Sequence, residues 1–285
     1  MDFARTTDGA ELAWTQDGAG EALLLIAGQA TGMAGWDPTA NALAEHFRVI
    51  RFDHRGIGAS TKGGADRYTT RSLSADAVSV LDAAGVDAAH IYGHSMGGRI
   101  AQWLAVDYPN RVLALVLAGT SGGGRGAAER EPSATEALLS ADANRMAPLF
   151  FDPDWTEEHP DSVHAFFDTR ASTWAKSRHF KASAEHDAWD FLGSIRAPTL
   201  ILHGTDDVLT PLSNARRLHQ HIRNSTLVKV PGARHGLHLD HPETIEWIRQ
   251  FITAKTGSML PRDGTNSRGR DVPSRPSSMG DRRER

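Results

Sequence analysis

The stretch Ala89-His90-Ile91-Tyr92 runs straight into Gly93-His94-Ser95-Met96-Gly97, and the amphipathic segment Met96–Tyr108 follows at once, stopped by Pro109. A short apolar strand that must turn into a helix within one or two residues leaves few folds open. Such a turn forces Ser95 into strained backbone angles. Side chains at positions 93 and 97 would collide with the neighbouring strand and helix, so both are glycine. The five residues match G-x-S-x-G, a pattern that a chain of this size meets by chance roughly 0.1 times. The flanking strand and helix are what lift it above a plain Gly-rich turn with an N-capping serine. They place the Ser95 hydroxyl at a helix N-terminus, where the dipole favours developing negative charge.

The same rhythm extends in both directions. Short apolar runs alternate with longer amphipathic stretches, as βαβ units around a parallel sheet require. Phe3–Thr7 and Leu12–Gln16 alternate about Asp8-Gly9 and predict an antiparallel hairpin at one sheet edge. Strands are expected at Leu23–Ala27, Val49–Phe52, His90–Gly93, Val112–Ala118, Thr199–Leu202 and Thr226–Val230. Helices are expected at Pro38–His46, Arg71–Ala84, Asn214–Ile222 and Pro242–Ala254. Val112–Ala118 is apolar throughout, the mark of a strand buried on both faces. Residues 122–192 break the pattern, opening on Gly122-Gly123-Gly124 and continuing in polar, helix-compatible stretches with scattered aromatics. They read as a helical lid inserted into a core of residues 1–121 and 193–255. Residues 256–285 turn to Gly, Ser, Pro and Arg, which bury too little surface to offset ordering entropy, and they are expected to be disordered.

Composition narrows the chemistry. Among 285 residues there is no cysteine, which removes disulfides, thiolate metal sites and a Cys nucleophile together. The formal charge of −4 leaves no basic footprint for nucleic acid. The N-terminus has acidic residues and no apolar core segment, unlike a signal peptide. The longest apolar runs fall far short of the ~20 residues of a membrane helix. A cytoplasmic location is the default expectation.

A serine hydroxyl needs a base, and the base needs an acid to hold it. With this type of turn the chain order is Ser, then Asp or Glu, then His. Two later segments supply both at strand C-terminal ends, where α/β sheets place their sites: His203-Gly204-Thr205-Asp206-Asp207-Val208-Leu209-Thr210-Pro211 and Pro231-Gly232-Ala233-Arg234-His235-Gly236. An acyl intermediate also needs donors for its oxyanion, one of them the backbone N–H of Met96, directly after the nucleophile.

Across roughly residues 10 to 255 the chain resembles the α/β-hydrolase fold family. Four motifs carry the likeness: Asp53-His54-Arg55-Gly56-Ile57-Gly58-Ala59-Ser60, the elbow at Ser95, the Gly204–Pro211 loop, and Pro231–His235. The resemblance implies a mostly parallel eight-stranded sheet with helices on both faces and an inserted lid. The family's acid stands four residues before the loop proline, which selects Asp207 over Asp206, and its pattern selects His235 as base. The Gln29 backbone N–H is implied as the second oxyanion donor, although this chain has Ala27-Gly28-Gln29 where such families usually carry His-Gly-x. The Asp53–Ser60 motif is implied to be structural. His238 and His241 are expected at the loop surface, since no H-E-x-x-H or acidic cluster accompanies them. No metal or organic cofactor is implied.

The expected pocket includes Gly28, Trp36 and His94 with Trp155, Trp174 and Trp189 of the lid, which favours a bulky apolar substrate. The expected reaction is hydrolysis of a small-molecule carboxylic ester or lactone, the chain being similar to enol-lactone hydrolases and polyketide methylesterases. Carbon–carbon bond hydrolases, thioesterases and cofactor-free haloperoxidases share the fold and remain alternatives, as does a non-catalytic ligand-binding protein built on it.

Overall fold

A computed structural model describes residues 1–140, 142–168 and 170–254; the segment from 256 onward, expected to be disordered, lies outside the described residues. Strands β1 (Asp2–Arg5) and β2 (Glu11–Asp17) form the edge hairpin, turning through Gly9 at φ 82°. β3 (Ala22–Ile26) leads to helix α1 (Asp37–Ala44), and β4 (Arg48–Phe52) to α2 (Thr70–Ala83). Thr69 and Ser72 cap α2 reciprocally, each side chain bonding the other's backbone N–H. β5 (Ala89–His94) runs into α3 (Met96–Asp107), and β6 (Val112–Ala118) follows. The eight strands lie in the order β1-β2-β4-β3-β5-β6-β7-β8, parallel from β4 onward.

Among the described residues five α-helices stand between β6 and β7 (Thr199–Gly204): α4 (Pro132–Leu139), α5 (Ala143–Phe150), α6 (Pro153–Glu158), α7 (Pro160–Phe167) and α8 (Thr173–Ala184). The insertion is closed at its base. Gly123 bridges Asp187, and Ala188 N–H donates to the Gly122 carbonyl at 2.9 Å. The chain ends with α9 (Ser213–His221), β8 (Ser225–Val230), α10 (Leu237–Asp240) and α11 (Glu243–Thr253). Among the described residues no helix is long and apolar enough to cross a membrane.

The apolar strands read as continuous runs because the sheet is covered twice. Leu24 and Ile26 pack on the face shared with Leu73, Leu81, Ile100 and Leu104 of α2 and α3. Leu23 and Leu25 pack on the opposite face with Leu43, Ile248 and Ile252. Each of these side chains except Ile252, which is 8% exposed, is fully buried, contributing about 1.5–3 kcal/mol. β6 alternates in the same way, Leu115 and Leu117 to one side, Val116 and Ala118 to the other.

The Asp53–Ser60 loop is tied down by its charges. Arg55 grips buried Asp76 on α2 through Nε and Nη2 at 2.6 and 2.7 Å and reaches Asp8 through Nη1 at 2.6 Å. Asp53 accepts from the backbone N–H groups of Met33 and Ala59. Gly58 has φ 52°, and a Cβ there would lie 2.0 Å from the Asp53 carboxylate.

Candidate active site

Ser95 sits between β5 and α3 at φ 55°, ψ −118°, a conformation that L residues avoid. The turn is held because nothing else fits. A Cβ on Gly93 would come 2.4 Å from the Gly97 carbonyl oxygen, and one on Gly97 would come 2.0 Å from that of Ile26. The close approach of α3 to the end of β3 also brings the 27–31 loop beside the serine: a Cβ on Gly28 would lie 3.5 Å from Ser95 Cβ. Ser95 N–H donates to the Ala118 carbonyl, and Thr120 Oγ1 donates to the Ser95 carbonyl at 2.7 Å.

The ends of β7 and β8 complete the group. His235 Nε2 is 2.9 Å from Ser95 Oγ, and His235 Nδ1 is 2.8 Å from Asp207 Oδ2. The other Asp207 oxygen accepts from the backbone N–H groups of Leu209 and Thr210 at 2.9 and 2.8 Å. Burial alone would raise the Asp207 carboxyl; the His235 imidazole, then His203 and the Thr210 N–H, outweigh it, and the net shift is downward. An ionised Asp207 therefore holds the proton on Nδ1 and leaves Nε2 to accept from the serine. Asp206 points elsewhere, its Oδ1 accepting from Thr205 Oγ1.

The His235 loop is anchored from the insertion. His235 N–H donates to Leu149 O and Gly236 N–H to Phe150 O, at 3.3 and 2.7 Å. Arg234 Nη1 donates to the carbonyls of Pro148 and Phe151 at the C-terminal end of α5, where a cation also meets the helix dipole favourably. The Phe150 ring stands edge-on to His235 at 5.2 Å.

Above the serine opens a cavity of about 690 Å³. Gly28, Gln29, His94, Ser95 and His235 line one part of it; Leu138, Leu139, Met146, Phe150, Phe166, Phe167 and Phe180 of the insertion give it an apolar wall, and Arg99, Arg130, Asp168 and Lys176 are also in its lining. Met96, the first residue of α3, has a backbone N–H without an intrahelical partner.

A family model described as the alpha/beta hydrolase fold matches residues 21–242. The chain belongs to the α/β-hydrolase fold family. Among its relatives is a protein of Caulobacter sp. (strain K31) named as a carbamate hydrolase, RutD, 32% identical over 239 residues, which are 78% of this chain and 87% of that one. A solved hydrolase from Pseudomonas aeruginosa PA01 superposes with TM-score 0.77 at 32% identity, over 89% of this chain and 98% of its own. The enol-lactonase from Burkholderia xenovorans LB400 gives TM-score 0.75 at 25% identity, over 88% and 99% of the two chains.

Within this α/β-hydrolase site the expected residues divide. Ser95, Asp207 and His235 converge, and Gly28, Gln29 and His94 line the cavity. Four tryptophans do not. Trp36 is 1% exposed, packed against Tyr92 and His238. Trp155 stacks on His159 and Phe151. Trp174 lies at the surface, edge-on to Tyr68 with Lys62 and Arg178 over its ring. Trp189 braces the base of the insertion: its indole N–H donates to Gly123 O, and a Cβ on Gly122 or Gly126 would strike the ring. The aromatic wall of the cavity is built from phenylalanines instead.

His238 also departs from expectation. It is 3% exposed on α10, its ring 4.2 Å from that of His94. Burial, then His94 and His235, hold its pKa well below the ordinary value. His94 is pushed down to about 3, by burial first and then by His235, so it stays neutral while its Nε2–H donates to the His235 carbonyl at 2.8 Å. His241 pairs with Glu243. The spacing of residues 235, 238 and 241 thus serves three separate environments. No motif marks Arg99 and Arg130, at the cavity wall. Arg99 had a signal, standing one helical turn after Ser95; Arg130 had none.

Proposed function

We propose that this hydrolase cleaves a small-molecule carboxylic ester or lactone through an acyl-Ser95 intermediate. The observation that carries the reading is the chain of hydrogen bonds Ser95 Oγ–His235 Nε2 and His235 Nδ1–Asp207 Oδ2, 2.9 and 2.8 Å, opening onto a largely apolar cavity. As Ser95 Oγ attacks the carbonyl carbon, its proton passes to His235 Nε2, and Asp207 stabilises the imidazolium. The backbone N–H groups of Gln29 and Met96 receive the oxyanion. Collapse of the tetrahedral intermediate expels the alkoxide, which takes the proton from Nε2. Water, deprotonated by the same nitrogen, then releases the carboxylic acid and restores Ser95. In a lactone the alkoxide remains tethered to the acyl group and the product is a hydroxy acid. Helices α4–α8 act as a lid, excluding water from the acyl chain and selecting apolar bulk. The enol-lactonase likeness supports this reading.

The experiment is fluorophosphonate labelling with mass mapping, alongside turnover of aryl esters and lactones. Labelling at Ser95, lost in Ser95→Ala together with turnover, is expected; an unlabelled Ser95 beside full ester turnover would refute the mechanism. A second reading, hydrolysis of a carbamate, is favoured by the name of the relatives. It uses the same attack on a carbonyl made less electrophilic by nitrogen. Matched carbamate and carboxylic esters of one alcohol separate the two readings by their kcat/KM.

A further inference from the structure

The cavity is largely apolar, yet two arginines line it together. Arg99 and Arg130 line both the large cavity and an adjoining one of about 300 Å³, with Leu209 and Thr210 also shared by both. Arg99 stands four residues after Ser95 on α3, ~6 Å along the axis, and helical side chains lean toward the N-terminus, here toward the serine. Its guanidinium is set in place by neutral partners: Nη1 donates to the Ser183 carbonyl and hydroxyl, and Nη2 to Ser121 Oγ at 3.1 Å. Gln102, one turn further, holds Ser121 through its carbonyl at 3.1 Å. Nε of Arg99 is buried without an acceptor. Arg130 has no hydrogen-bond acceptor among the described residues.

Neither guanidinium is among the arginines that pair with carboxylates in the described residues. Two carboxylates do line the cavities. Asp168 has Arg170 at 3.8 Å, and Glu129 is exposed at the mouth of the smaller one. Lys176 adds a further cation to the large cavity. Burial, and then Arg130, push Arg99 down to about 10, so both guanidiniums remain charged at neutral pH and repel each other. Arg99, oriented by a built set of serines, and half-buried Arg130, which the Asp207 charge partly offsets, make a like-charged pair that an anion between them would stabilise.

We infer that Arg99 and Arg130 form a carboxylate subsite, so that the substrate is an ester or lactone with an anionic group a few bonds from its reacting carbonyl. This rests on the reading of Ser95 as nucleophile. The apolar body of the substrate lies under the insertion, and its carboxylate reaches past the serine toward the smaller cavity.

The test compares phenyl hemiglutarate with phenyl glutaramate, which differ only in carboxylate against neutral amide. The wild-type enzyme is expected to favour the anion in kcat/KM by about tenfold or more, mainly through KM. In Arg130→Gln that ratio falls toward one. Arg99→Gln risks loosening Ser121 and Ser183, so Arg130 carries the test. A second arm uses the Ser95→Ala protein and calorimetry with hexanoate and hexanamide. Tighter binding of hexanoate, lost in Arg130→Gln, is expected. Equal binding of the two, or an anion preference that survives Arg130→Gln, overturns the subsite. If hexanoate binds as expected while no ester turns over, the subsite stands and the nucleophile reading falls; ester turnover without anion preference leaves the reverse.

Discussion

Gly97 has no room for a methyl group: its Cβ would sit 2.0 Å from one backbone carbonyl oxygen and 2.6 Å from the next. Relief requires α3 to move off β3, so Gly97→Ala should cost at least about 3 kcal/mol in urea unfolding. Gly85→Ala is the contrast. Its φ is +67°, with nothing within 4 Å of a built Cβ, so only backbone strain of about 1–2 kcal/mol is expected. Equal costs at the two positions would mean the packing around the elbow relaxes freely. The adjacent aspartates offer a second paired test. Asp207 is buried and bonded to His235 Nδ1, while Asp206 is exposed and bonded to Thr205. Asp207→Asn should lower kcat by about 10⁴ through the wrong imidazole tautomer, and Asp206→Asn by less than about threefold. Comparable losses from both would remove Asp207 from the role proposed for it.

At the scale of elements, the insertion does more than roof the cavity, because the C-terminal end of α5 holds the loop that carries His235. Arg234 bonds two carbonyls there, and the backbone N–H groups of His235 and Gly236 bond two more. Arg234→Ala should lower kcat by about tenfold, by letting the imidazole drift from Ser95. Amide exchange should quicken at 235–236 as well; unchanged kcat and exchange would show the anchor to be dispensable. The strands and the elbow were legible because their constraints are local: an apolar run buried on both faces reads the same from either side, and Gly93 and Gly97 are demanded by contacts within one turn. Expected strand and helix limits fall within about two residues of those observed for the same reason. The cavity wall was not legible. Trp155, Trp174 and Trp189 are as amphipathic to the eye as Phe150 or Phe166, and which face of a short helix meets the cavity is decided by how five helices pack, not by their periodicity. His238 shows the same limit, since a three-residue spacing after His235 gave no hint that a short helix would turn it inward against His94.

The whole molecule carries an unusual store of buried neutral imidazole. His54, His90, His94, His179, His186, His203 and His238 are all buried with pKa values lowered, in each case by burial first. For a histidine depressed on folding, the unfolded chain binds the proton more readily, so stability is full above the unfolded value near 6.5. It is lost as pH falls toward the folded value. His94 and His179 are both pushed down to about 3. Those two alone remove about 3 kcal/mol between pH 6.5 and 5, against a total stability of about 5–15 kcal/mol. Asp76 and Asp240, raised by burial, work in the opposite sense but only at lower pH, where carboxylates begin to take protons. The fold should therefore be flat in stability from pH 8 to 7, fall steeply below 6.5 and unfold before pH 4 with uptake of several protons. Urea midpoints measured across that range decide it. A midpoint that holds steady down to pH 5 would mean that the interior admits charged histidine without unfolding.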